Sequence, residues 1–546
     1  MLCAMLLTTL SGAALAETVI HNVSAYTSSD EGIKTFSALV FDDTGKILAT
    51  GNEQLLAQFP QATRIDGMGR YLLPGLVDAH AHLSGQGFLA VRLDLTGSPS
   101  LADAAAKIAA YGKANPSARF ILGRGWNQVL WDGKAFPTAA DIDAVIKDRP
   151  VWLRRIDGHA GWANSKMLEI AGITDDTPDP VGGKILRDSN GKATGVLIDL
   201  AMDQVEKHIP EPDKNEIKQA YLKAIESLVA LGMTGMHDAG VSTTDAEVLI
   251  AMADNNELNM RVYAMISGAG EHLDAIGKPI KAYGRERLDI QAVKLYSDGA
   301  LGSRGAAMIE PYSDDAENRG LAFMTQAELT SYVRKANGMG FQVGIHAIGD
   351  LGNRMSLNAF DTVQGGKPSP LRNRIEHSQI IALEDIPRFA ELGVIASVQP
   401  IHATSDKNMA EDRIGPDRIL GGYAWRRLLD SGAVLASGSD FPVELPNPFW
   451  GLYAAVTRKD RDGEPADGWY ADQALTRSEA LHSFTLGAAY AAHQEDRLGS
   501  LEPGKWADFI LVDRDYFTIP ESEIDDIRVL GTWVGGEQVF DASAVH

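Results

Sequence analysis

Eight short apolar, β-rich runs recur along the chain, separated by stretches whose apolar residues fall at helical spacing, and this alternation narrows the fold more than any other feature. The runs are residues 72–80, Thr234-Gly-Met-His, Met260-Arg-Val-Tyr-Ala-Met-Ile, Ile290-Gln-Ala-Val-Lys-Leu-Tyr, Gln342-Val-Gly-Ile-His, Arg374-Ile-Glu-His, Val394-Ile-Ala-Ser-Val and Val434-Leu-Ala-Ser-Gly-Ser-Asp. Intervening segments such as 215–231 and 325–339 carry the helical period. Eight strands alternating with helices predict an α/β fold, a closed parallel (β/α)8 TIM barrel whose strands all end at one face.

Both ends of the chain read differently. Residues 17–72 hold short strands and turns without a long helical period, and residues 497–546 have the same character, with Phe509-Ile-Leu-Val and Val529-Leu-Gly-Thr-Trp-Val. Together they predict one small β-sandwich domain built from both termini around a barrel at 73–496. Residues 99–199 are too long for a single crossover and are read as an insertion after the first barrel strand. Its Gly, Trp and Arg clusters, such as Gly123-Arg-Gly-Trp-Asn-Gln, fit a lid better than a core.

At 546 residues with 45% hydrophobic content, the chain can bury a large core. A net charge of -23 argues against nucleic acid or an anionic membrane as partner, because both repel an acidic surface. The first sixteen residues are apolar and small and end Ala14-Leu15-Ala16, which matches a signal peptide cut after Ala16 and a periplasmic or secreted protein with no membrane insertion after cleavage. No Lys or Arg precedes the apolar stretch, and a buried N-terminal helix or strand is the other reading. Cys3 is the only cysteine and lies in this segment, so the mature chain would have no disulfide, thiolate nucleophile or cysteine metal ligand.

Two histidines two apart, His80 and His82, close the first run, so both project to the same side of a strand. Alone this pair is a weak signal. Lys294, His346, His377 and Asp440 lie in or at the ends of later runs, and a parallel barrel brings such positions to one face. Imidazoles and a carboxylate without sulfur suit a divalent ion such as zinc, with a position open for water.

Six segments in order resemble the amidohydrolase superfamily, in particular its YtcJ-like group, amidohydrolase family 3. They are Leu73-Pro-Gly-Leu-Val-Asp-Ala-His-Ala-His, Val293-Lys-Leu-Tyr-Ser-Asp-Gly-Ala-Leu-Gly-Ser-Arg-Gly-Ala, Ile345-His-Ala-Ile-Gly-Asp, Arg374-Ile-Glu-His-Ser-Gln, Gly438-Ser-Asp-Phe-Pro-Val and Leu498-Gly-Ser-Leu-Glu-Pro-Gly-Lys-Trp-Ala-Asp. The resemblance implies a hydrolase on a TIM barrel with a flanking β domain, often dimeric. It implies one or two divalent ions, with His80 and His82 on the buried one, His346 and His377 on the more exposed one, and Lys294 as a CO2-derived carbamate between them. A carbamate supplies anionic oxygens where a bare ammonium beside dications would be repelled. It further implies attack by metal-activated hydroxide, with Asp440 taking the water's proton and passing it to the leaving amine.

The expected activity is hydrolysis of an amide-type, non-peptide C–N bond in a small N-acyl or N-formyl compound. An esterase, lactonase or deaminase on the same site is the alternative, as is a non-catalytic binding or regulatory protein on this scaffold. His159, Arg304 and Trp126 are candidate substrate contacts, with a loop salt bridge equally open for Arg304 and plain packing for the tryptophans. His237 and Asp238 are read either as barrel rim or as support for the ligands. His402 and His482 are read as structural.

Overall fold

The protein is described here by a computed structural model covering residues 16–29, 32–155, 158, 160–180 and 183–544. Residues 1–15, which make up all but the last residue of the expected signal peptide at 1–16, and His159 lie outside the described residues. The chain forms two compact units, Met1–Leu83 with Ile225–His546, and Ser84–Ala224.

In the first unit, β1 (Glu17–Ser29), β2 (Gly32–Asp42), β3 (Ile47–Gly51) and β4 (Thr63–Pro74) are followed by β5 (Leu76–Ala81). The run at 72–80 is therefore two strands. Leu72 to Pro74 complete β4, and Gly75 passes the chain to β5 where there is no room for a side chain: a Cβ there would lie 2.2 Å from Thr234 Oγ1.

The second unit holds β6 (Leu93–Asp94), β7 (Ile121–Trp126), β8 (Val151–Arg155), β9 (Ala160–Ala163), β10 (Gly183–Arg187) and β11 (Ala193–Asp199), in the order β10-β11-β9-β8-β7-β6. The helix Leu101–Ala114 connects β6 to β7, its N-terminus capped by Ser100. Trp126, Trp131, Trp162, Ile142 and Leu153 form a core, with Trp152, Met167, Leu197 and Val205 in another cluster. This segment is thus a folded unit with its own cores rather than a cluster of loops. It is also wider than 99–199, because Leu93 and Val205 join those cores.

Back in the first unit, β12 (Met233–Val241), β13 (Arg261–Ser267), the short β14 (Ile280–Ala282), β15 (Leu288–Tyr296), β16 (Gln342–Ala347), β17 (Arg374–His377), β18 (Ile395–Val398) and β19 (Leu435–Ser437) follow. The order β19-β18-β17-β16-β15-β13-β12-β5 is parallel throughout, and β14 pairs antiparallel with β15. The path closes where the chain leaves its first and last strands: Asp440 N donates to His80 O (2.7 Å) and His82 N to Phe441 O (2.8 Å). All eight runs are barrel strands. They read as apolar because a parallel strand is covered on both faces, as in β15, where every residue but the last is buried.

The chain then returns to the terminal sheet through β20 (Phe509–Val512), β21 (Val529–Val534) and β22 (Glu537–Asp541). One hydrogen-bonded path, β22-β21-β20-β4-β1-β2-β3, joins both ends of the chain, with β20 antiparallel to β4. Among the described residues, no helix is long and apolar enough to cross a membrane.

Candidate metal centre

Strand alternation delivers the imidazoles. On β5 and just beyond it, His80 and His82 project to the same side, and their rings lie 5.6 Å apart, edge to face. Lys294 is the seventh residue of β15 and is 1% exposed. His346 lies near the end of β16 and His377 closes β17, with ring centroids 4.5 Å apart, and His377 lies 4.8 Å from His80. Asp440 follows β19 and completes the group. Its Oδ1 lies 3.1 Å from His82 Nε2 and 3.6 Å from His80 Nε2, and Lys294 Nζ lies 3.3 Å from His80 Nε2. All six residues singled out in the sequence therefore gather at one mouth of the barrel. Donor atoms of His80, His377 and Asp440 lie within 4.8 Å of one another.

Two of these residues have positive backbone φ, 73° at His377 and 62° at Asp440. A non-glycine residue there costs on the order of 1–3 kcal/mol. The fold tolerates that cost where it aims a side chain inward.

Hydrogen bonds set which ring nitrogen faces the site. His80 Nδ1 donates to Glu376 Oε2 at 2.5 Å, and His377 Nδ1 donates to Gln399 Oε1 at 2.8 Å, so Nε2 of each ring carries the lone pair. His346 Nε2 lies 3.4 Å from Gly299 O, which leaves Nδ1 as its free nitrogen. Glu376 is itself held by Arg374, whose Nε lies 2.6 Å from Oε1. The same guanidinium donates to Ala79 O, Ser397 Oγ and His237 Nδ1. His237 thus supports the ligands at one remove, through Arg374 and Glu376. Gly344 makes room for this network, since a Cβ there would lie 2.6 Å from Glu376 Oε1.

Burial and charge act together on the titrating groups. Burial, reinforced by the Lys294 ammonium, pushes His80 down to about 4 and His346 to about 3, and burial with the neighbouring imidazoles pushes His377 well down. All three rings are neutral at physiological pH, as ligands must be. Burial alone would raise the Asp440 carboxyl, but the imidazoles of His82, His80 and His402 bring it down to about 2. Burial pushes the Lys294 ammonium down to about 8, against the pull of Glu376 and Asp440. Arg374 and His80 overcome burial to hold Glu376 far below the usual carboxylate range.

Two further carboxylates tie the loops. Asp78 accepts from Ser439 N (3.0 Å) and Ser439 Oγ (2.7 Å), fixing the turn that presents Asp440, and burial lifts it to about 7. Asp298 accepts from the backbone N–H groups of Ala307, Ile348 and Gly349, joining the loop after β15 to the loop after β16, and burial lifts it to about 6.

The expected substrate contacts fare otherwise. Trp126 is fully buried in the core of the second unit, its Nε1 donating to Leu153 O at 2.7 Å, so it is a packing residue. Arg304 lies in the loop after β15, but its Nε and Nη2 donate to Asp314 at 3.0 and 2.9 Å, so the salt-bridge reading describes it. Sequence reasoning missed Glu376, Gln399 and Asp78, and it left His402 as structural. His402 stacks on His377 at 5.8 Å with 20° between ring planes, and its Nε2 lies 3.8 Å from Asp440 Oδ2. The available signal was position for Gln399, which directly follows β18 where a barrel strand ends at the same mouth.

A donor set of neutral imidazoles and an ionised carboxylate, without sulfur, fits a divalent cation. Asp440 Oδ1 supports the fit, being buried with no hydrogen-bond partner among the described residues.

Comparison with known proteins agrees with this geometry. The model of the amidohydrolase family matches residues 63–540. The YtcJ protein of Bacillus subtilis (strain 168) is 32% identical over 539 residues, covering 96% of this chain and 99% of its own length. The N-substituted formamide deformylase of Arthrobacter pascens is 27% identical over 512 residues, covering 90% of this chain and 93% of its own. A metal-dependent hydrolase from Pyrococcus horikoshii has a solved structure that superposes with a TM-score of 0.79 at 29% identity, over 93% of this chain and 99% of that one.

Proposed function

Because this chain belongs to the amidohydrolase family, we propose that it is a metal-dependent hydrolase cleaving an amide-type, non-peptide C–N bond in a small N-acyl or N-formyl compound. The observation that carries this reading is the convergence of His80, His82, His346, His377, Asp440 and Lys294 at one barrel mouth. The similarity to a formamide deformylase supports an N-formyl or N-acyl substrate.

His80, His82, His346, His377 and Asp440 would hold one or two ions, with zinc the natural choice for imidazole and carboxylate donors. Such an ion, when bound, supplies Lewis acidity toward a carbonyl oxygen and lowers the pKa of a water. Asp440 is kept ionised by the surrounding imidazoles and is therefore a base. It takes the proton of the attacking water and returns it to the departing nitrogen. Glu376 and Gln399 hold the tautomers of His80 and His377 throughout.

Lys294 joins this set as a carbamate. Its ammonium, pushed down to about 8, leaves roughly a tenth of the amine neutral at pH 7 and able to add to CO2. The ammonium gives up one proton to become the amine and addition to CO2 releases a second, so that a cation would become an anion among metal ligands. We extend the proposal to a small-molecule substrate, to a periplasmic or secreted location reached through the segment ending at Ala16 before that segment is removed, and to a homodimer.

The test is amine release from a panel of N-formyl and N-acyl amines, with metal measured by elemental analysis. Turnover is expected to stop on chelation and to return with zinc, and His80→Ala is expected to lose both metal and activity. Undiminished turnover in that variant would end the reading.

A further inference from the structure

His402 leaves β18 in the segment Gln399-Pro-Ile-His and sits on the helix Pro400–Asp406. Its ring is fixed from two sides. One face stacks on His377, and the helix is anchored at its far end by Asp406, whose Oδ2 accepts from Tyr423 Oη (2.6 Å) and Gln379 Nε2 (3.1 Å). Nε2 is buried and has no hydrogen-bond partner among the described residues. It points toward Asp440 Oδ2 from 3.8 Å, too far for a hydrogen bond and close enough to reach an atom beside that carboxylate. A buried polar nitrogen without a partner costs about 1–3 kcal/mol, so its retention beside the reacting carboxylate calls for a function.

Resting on the C–N hydrolysis proposed above, we infer that His402 is a catalytic residue whose Nε2–H binds the substrate's carbonyl oxygen as that oxygen becomes anionic. Attack by the water oxygen forms a C–O bond to the carbonyl carbon and moves the C=O π pair onto the carbonyl oxygen. The water's proton goes to Asp440. When the C–N bond breaks, the oxygen's pair re-forms C=O, and the nitrogen leaves with that proton. His402 donates most strongly to the oxygen in the interval between, when it carries full negative charge. The ligands recognised are thus carbonyl compounds that become tetrahedral anions, and stable tetrahedral anions that resemble them.

The experiment compares wild type, His402→Ala and His402→Gln by amide turnover, metal content, thermal midpoint and calorimetric binding of methylphosphonate. Loss of one such donor lowers kcat by roughly 10²–10³-fold. His402→Ala is expected to show that loss with full metal content and at least tenfold weaker methylphosphonate binding, and His402→Gln, which keeps an N–H donor, to recover part of both. Unchanged methylphosphonate affinity in a folded, metal-loaded His402→Ala overturns the inference even if kcat falls, because His402 would then act only through Asp440. Metal loss in parallel with activity also overturns it, by making His402 a ligand. If wild type hydrolyses none of the amides, the C–N reading fails, and the methylphosphonate comparison alone decides the role of His402.

Discussion

Single side chains at this barrel mouth do unlike jobs according to what lies behind them. His80 presents Nε2 only because Glu376 takes the proton on Nδ1, and Glu376 stays ionised while fully buried because Arg374 lies against it. Glu376→Gln keeps the shape and removes the charge. Such partners of metal-bound histidine contribute about 10–100-fold to metal affinity, and a loss of that size is expected in competition titrations against a chelator, with the fold intact by circular dichroism. Unchanged affinity would make Glu376 a packing residue. The ligand candidates themselves were legible because His, Lys and Asp are conspicuous at the ends of apolar runs. Glu376 and Arg374 were not singled out, although a charged pair at i, i+2 inside a barrel strand shares one face and marks a buried ion pair. His402 was passed over for a different reason: it follows its strand by four residues, and only the turn into the helix Pro400–Asp406 brings it back to Asp440.

Among the elements, the barrel and the terminal sheet are locked by a few buried charges. Arg261 at the start of β13 donates to Asp508, just before β20, through Nε (2.6 Å) and Nη2 (2.9 Å), and both residues are more than nine-tenths buried. Removing one partner of a buried pair costs about 3–5 kcal/mol. Arg261→Met is expected to lower stability by that amount in denaturant titrations, and Arg261→Met with Asp508→Leu to recover part of it. A nearer-surface lock governs acid behaviour. Glu479, on the helix Arg477–Ser483, accepts from Arg426 Nη1 at 2.8 Å and caps that helix through Thr476, and these bonds lower its carboxyl from 4.5 to about 2. Because the folded value is the lower one, its stabilisation is complete above about pH 4.5 and fades as pH falls toward 2. The thermal midpoint of wild type is therefore expected to fall more steeply than that of Glu479→Gln between pH 5 and 3; parallel curves would exclude the linkage. The pair is a third exposed, so the effect is small.

For the molecule as a whole, period and composition made the barrel legible, since all eight apolar runs became parallel strands in chain order. Residues 84–224 were harder to read. Their Trp and Gly clusters look like loop material when each is taken alone, and only the pairing of β6 to β11 shows that Trp126, Trp131 and Trp162 face one core. Of the two readings open for Trp126, substrate contact and plain packing, its full burial fits the second. A bound ion that favours the native state stabilises it by about 4 kcal/mol at a thousand times its dissociation constant. Chelation is thus expected to lower the thermal midpoint of wild type and to leave that of His80→Ala almost unmoved, as read by scanning calorimetry. The central claim is that side chains from five different barrel strands hold a divalent cation, and anomalous diffraction from zinc-loaded crystals tests it most directly. The account requires one or two anomalous peaks at this mouth, each within about 2.0–2.2 Å of donor atoms drawn from His80, His82, His346, His377 and Asp440. A map with no peak there, or with its strongest peak elsewhere, would contradict it.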